Sequence, residues 1–126
     1  MNKVLQPSIV IDLKKPLIRI HKSTLHILGN PEYILLLVNP NERTIAVLPS
    51  EREDSKAHHV SKYSLRNNKS FELYSTNLIR NLKILQENWE NNGIYKIYGF
   101  KIQEQNIVKF NMSEAFISNL QEGSND

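Results

Sequence analysis

The run YILLLV, residues 33–38, constrains the fold more than any other stretch of the chain. Successive side chains of a strand point to opposite faces, so Leu35, Leu36 and Leu37 place apolar groups on both. The expected strand is buried on both sides, as in a sandwiched or interlocked sheet. The turn formers NPNE follow, then a second β-rich run, and residues 33–49 read together as a hairpin. A second hairpin covers residues 94–112, IYKIYGFKIQEQNIVKFNM, turning near QEQN. In it Phe100 and Ile102 are in phase, as are Val108, Phe110 and Met112.

Shorter elements fill the rest. SIVIDL, residues 8–13, alternates like a strand, and KKP interrupts it. Pro16 has no backbone N–H, so it belongs at a strand start, an edge or a turn. LIRI, residues 17–20, is a second strand with Ile18 and Ile20 on one face. Ser23 or Thr24 is suited to cap a short helix, Leu25 and Leu28 share its buried side, Gly29 fits the left-handed stop and Pro31 forbids continuation. Residues 50–62, SEREDSKAHHVSK, read as a charged linker with room for a short strand at AHHV. KSFELYS, residues 69–75, is a strand with Phe71 and Leu73 inward. Ser75 or Thr76 then caps a helix to about Gln86, with Leu78, Ile79, Leu82 and Leu85 at helical spacing. SEAFISNL near the end reads as a last short helix, and the tail QEGSND as frayed.

The chain has 126 residues and a formal charge of +3, with a pI near 9.2. That balance permits contact with nucleic acid and argues against an acidic mimic of DNA. It has no cysteine, which excludes disulfides and thiolate metal sites. The first residues lack the apolar core of a secretory signal, and no apolar run approaches the roughly 20 residues of a membrane span. The expectation is a cytoplasmic protein with no membrane contact.

The two halves follow one order. PLIRIHKSTLHILGNPEYILLLVNPNERTIAVLP reads strand, capped helix, loop, hairpin; KSFELYSTNLIRNLKILQENWENNGIYKIYGFKIQEQNIVKFN reads the same with a longer helix and loop. Ile18 matches Phe71, Ile20 matches Leu73, Ser23 matches Thr76 and Leu25 matches Leu78. A unit this small cannot bury a core alone, so a second copy must complete it. The expected class is mainly β with short helices (α+β), built of tandem β-α-β-β units. Residues 1–50 form the first, 51–68 a linker, 69–112 the second, and 113–126 a short helix and tail, all in one domain.

DLKKPLIRIHKSTLHILGNPEYILLLVNPNERTIAVLP resembles the AbrB/SpoVT-type swapped-hairpin domain. It has a basic loop, a short strand, a helix ending in leucine–glycine (Leu28–Gly29) and a hairpin with a polar turn. Two copies in one chain look like the MraZ branch. The resemblance implies a pseudo-symmetric swapped-hairpin barrel and a transcriptional regulator that binds double-stranded DNA after further oligomerisation. Where the family carries glycine–arginine after the aspartate, this chain carries KKP, and the second copy lacks the helix-ending glycine.

The candidate DNA contacts are Lys14, Lys15, Arg19 and Lys22 in the first copy, and Arg66 and Lys69 before the second strand. A pseudo-twofold is expected to bring both basic loops to one edge, where their charge would hold phosphates. Asn67 and Asn68 could add hydrogen bonds to phosphate or base edges. The alternative function is a protein carried by phage or a mobile element that grips and inhibits, or adapts, a host protein or nucleoprotein complex. Trp89, His58 and His59 are its candidate contacts. Adjacent His58 and His59 point to opposite faces of a strand, so no metal is expected, and no cofactor either. No glycine-flanked nucleophile surrounds Ser23, Ser61 or Ser64, and the sequence assigns no catalytic residue.

Overall fold

The computed structural model describes residues 6–60 and 69–118, and both predicted hairpins are present in it. In chain order the elements are β1 (Ser8–Asp12), β2 (Leu17–His21), α1 (Lys22–Ile27), β3 (Tyr33–Asn39), β4 (Thr44–Pro49) and β5 (His58–His59). There follow β6 (Ser70–Tyr74), α2 (Thr76–Leu85), β7 (Ile94–Lys101), β8 (Val108–Asn111), a 3-10 turn (Met112–Glu114) and β9 (Phe116–Ile117). The chain is mainly β with two short helices among the described residues, and its sheet curls strongly into a half-barrel. Every pairing is antiparallel, in the order β5-β3-β4-β8-β7-β1-β2-β6, with β9 added beside β7.

Strand β7 joins the two halves of the sheet. Its first five residues pair with β1, and from Gly99 onward it pairs with β8. The β8 chain then steps off through the 3-10 turn and rejoins β7 as β9. Phe110 faces Gly99, yet Phe116, six residues on, faces Lys96, only three residues back. The predicted terminal helix is therefore replaced by a turn and a strand. Asn111 caps the turn by accepting the Ser113 N–H, and Phe116 and Ile117, both strand formers, take up the open edge of β7.

The inside of the curl is apolar. Ile9, Ile11, Ile18, Ile20, Ile34, Ile45, Ile97 and Phe110 are fully buried there. The helices close it with Leu25 and Leu28 from α1 and Ile79 and Leu82 from α2. Strand β3 departs from expectation. Ile34 is buried and Leu36 and Val38 pack on the core, but Leu37 on the opposite face is 46% exposed. The sheet is a single curled layer, and among the described residues no second layer covers the outside of β3.

The cap of α1 also differs. Neither Ser23 nor Thr24 caps it; His21 Nδ1 accepts the Ser23 N–H at 3.0 Å. Thr24 is instead fully buried, and its hydroxyl accepts the Ser8 N–H and donates to the Ser8 carbonyl, both at 3.1 Å. The helix is thereby clamped to the start of β1. Gly29 takes φ +90° and Asn30 φ +53° to end α1, the left-handed stop that the glycine predicts. Helix α2 follows expectation, with Ser75 accepting the Leu78 N–H at 3.2 Å.

Candidate nucleic-acid interface

The candidate cations gather around the β2–β6 ribbon. Arg19 lies at its midpoint, opposite Glu72, and its Nε donates to the Glu72 carboxylate at 3.2 Å. Both groups are partly exposed, so the pair adds little stability but keeps Arg19 beside Glu72 on the outer face. Lys14 and Lys15 occupy the β1–β2 turn and are exposed. The buried Asp12 shapes that turn by accepting the Lys14 and Lys15 backbone N–H groups at 3.0 and 3.2 Å. The aspartate therefore anchors the basic loop and presents its two ammonium groups outward.

Lys22 and Lys69 lie at the other end of the ribbon. The Lys22 N–H donates to the Lys69 carbonyl at 2.8 Å, and both side chains are exposed. The expectation of one shared edge is therefore corrected. Strands β2 and β6 are antiparallel, with Leu17 opposite Tyr74 and His21 opposite Ser70, so Lys14 and Lys15, before β2, and Lys69, before β6, fall at opposite ends. Five residues of strand separate the two clusters by on the order of 15 Å. Arg66, Asn67 and Asn68 lie outside the described residues, as do Ser61 and Ser64.

Of the alternative contacts, Trp89 is 8% exposed and its ring stacks on Tyr95 at 4.6 Å. Tyr95 in turn accepts the Glu90 N–H at 2.7 Å. Trp89 thus belongs to the core over the end of α2 and is not offered to a partner. His58 and His59 form β5, in the segment with room for a short strand, and pair with Ile34 and Tyr33. His59 is exposed, stacks obliquely on Tyr33 at 5.0 Å and lies 3.8 Å from the Glu32 carboxylate. His58 is half-buried, and desolvation lowers its pKa below 6.5.

That shift has a definite sign. The unfolded chain takes a proton on His58 near pH 6.5, before the folded chain does, so stability falls as pH drops through that value. Thermal melts followed by circular dichroism should show a lower melting temperature at about pH 5.5 than at about pH 7. The His58→Gln variant should lose less over the same interval.

Among the described residues the one close serine–histidine pair is His21 Nδ1 with Ser23 Oγ, at 2.8 Å. Ser23 is buried and its hydroxyl donates to the Gln6 carbonyl at 3.2 Å, so the pair belongs to the helix cap. Among the described residues no three His, Asp or Glu side chains converge to hold a metal, and no helix is long and apolar enough to cross a membrane. No family model, curated protein or solved structure matches the chain.

Proposed function

We propose that the chain is a tandem swapped-hairpin protein that binds double-stranded DNA through the cations of the β2–β6 ribbon and acts as a transcriptional regulator. The observation that carries this reading is the ribbon itself. An exposed lysine pair sits at each end, with Arg19 between them on the outer face. Such an array matches a ligand with regularly spaced phosphates along an extended backbone, and neutralising them releases counterions.

The strand order supports the tandem reading. Exchanging β1–β4 with β5–β8 preserves six of the eight strand pairings in the sheet; β1–β2 and β7–β9 have no counterpart. The two halves interlock, since β7 pairs with β1, β5 with β3, β4 with β8 and β2 with β6. Arg19 and Glu72 mark the centre of the β2–β6 pair, as the match of Ile18 with Phe71 requires. The helices align one residue later than the sequence match has it, because Leu25 and Leu28 share their burial with Ile79 and Leu82.

The Lys14→Glu/Lys15→Glu double variant tests the function. Its affinity for mixed-sequence duplex DNA, read by fluorescence anisotropy, should fall below detection while its melting temperature stays within a degree or so, because both side chains are solvent-exposed. Unchanged affinity overturns the assignment.

The exposed Leu37 favours a second reading, the protein-binding adaptor. Capture of one host protein that survives nuclease treatment would support it, and capture lost on nuclease treatment would support nucleic-acid binding.

A further inference from the structure

Besides Tyr74 at the end of β6, three aromatic side chains on β7 and β9 face solvent: Tyr98, Phe100 and Phe116, at 42%, 54% and 41% exposure. Alternation along β7 places Tyr98 and Phe100 on its outer face with Lys96, while Tyr95 and Ile97 point inward and are buried. Phe116 is in register with Lys96, and its ring stacks on Tyr98 at 5.8 Å. The Lys96 ammonium lies 5.1 Å from the centre of the Tyr98 ring. On the neighbouring strand Lys109 is in register with Phe100. Flat rings and ammonium groups thus share one strip of the outer face.

The charges on this face do not cancel. Glu42 is engaged by Lys109 at 3.3 Å and Glu72 by Arg19 at 3.2 Å. Lys96, which shares the face of the rings, has no salt-bridge partner among the described residues. Glu104 and Glu114 belong to the turns on either side of the strip, not to its strands. The centres of protein interfaces are depleted of lysine, whereas a surface that binds single strands combines exposed rings for base stacking with cations for the backbone.

We propose that this strip binds single-stranded nucleic acid, stacking bases on Tyr98, Phe100 and Phe116 and holding a phosphate with Lys96. It lies on the same outer face of the sheet as the β2–β6 ribbon, with β1 between them, and does not depend on duplex binding there. The test is fluorescence anisotropy of the full chain with fluorescein-labelled oligo(dT) and oligo(U), whose comparison separates DNA from RNA. The expected result is salt-sensitive binding that weakens at least about fivefold in each of Tyr98→Ala and Phe100→Ala. Lys96→Glu, which leaves the rings in place, should weaken it as well. Lys14→Glu/Lys15→Glu should leave it within about twofold, so loss of duplex binding alone is distinguishable. Circular dichroism establishes that each variant is folded. The proposal is overturned by no binding at low salt, or by binding that folded aromatic variants retain. It is also overturned by sedimentation showing self-association that Phe100→Ala abolishes, with no oligonucleotide bound.

Discussion

Valine in place of Gly99 is expected to lower the stability of the chain by about 3 kcal/mol or more, a large share of the usual 5–15 kcal/mol total. A Cβ at this position would lie 2.5 Å from the Lys109 carbonyl oxygen and 2.6 Å from two carbons of the Phe110 ring. Neither neighbour can yield cheaply. The carbonyl is backbone of β8, and Phe110 is fully buried at the centre of the core. Gly99 also donates its N–H to the Pro7 carbonyl at 2.9 Å, so the residue is held from the β1 side while β8 presses from the other. It is the point where β7 passes from one neighbour to the next, and the branched Cβ of valine would force those two halves of the sheet apart. Urea unfolding should show a much lower midpoint. A midpoint within experimental error of the parent would mean that β7 and β8 do not approach each other as described.

The second large effect is expected at Thr24. Thr24→Val keeps the shape of the side chain and removes the hydroxyl that serves both the N–H and the carbonyl of Ser8. Ser8 and Thr24 are both buried, so water cannot readily replace it, and each unsatisfied group costs roughly 1–3 kcal/mol. The variant should lose about 2–4 kcal/mol in total. Thr24→Ser, which keeps the hydroxyl and loses one methyl, should recover most of that, with a residual loss near 1 kcal/mol. Equal losses for valine and serine would assign the position to packing alone. The comparison separates the hydrogen bonds from the volume, which a single substitution to alanine would not.

The elements that the sequence announces are those whose signal is local. Both hairpins follow from apolar runs around polar turns, and α2 follows from Leu78, Ile79, Leu82 and Leu85 behind a serine cap. What escaped the sequence depends on distant partners. Thr24 reads as a capping residue because its position beside Ser23 suits one, but its hydroxyl bonds lie sixteen residues away at Ser8. His21 caps α1 because its Nδ1 lone pair reaches the Ser23 N–H, a role that composition does not suggest. SEAFISNL carries helix-forming glutamate and alanine at its start, yet the open edge of β7 recruits Phe116 and Ile117 as a strand.

The candidate site divides in the same way. Lys14, Lys15, Lys22 and Lys69 are all exposed, and each stands just outside a strand in the chain order. Their arrangement is set by the antiparallel register of β2 and β6, which no single loop encodes. Trp89 is a candidate contact of the alternative reading, although a tryptophan there more often closes a small core over the helix end, and its stacking on Tyr95 puts it in the core. The exposed strip of Tyr98, Phe100 and Phe116 joins residues of two strands that only the rejoining of β9 to β7 brings together.

Duplex binding by the β2–β6 ribbon is tested most directly by the salt dependence of affinity. A mixed-sequence duplex should be titrated with the parent chain across a series of salt concentrations. With Lys14, Lys15, Lys22 and Lys69 on phosphates, the plot of log affinity against log salt should fall with a slope of about −3 to −4. Replacing Lys14 and Lys15 by alanine, which leaves enough charge to measure, should make that slope shallower by about 2. A flat plot, or a slope that the alanine variant leaves unchanged, would contradict duplex binding through these residues.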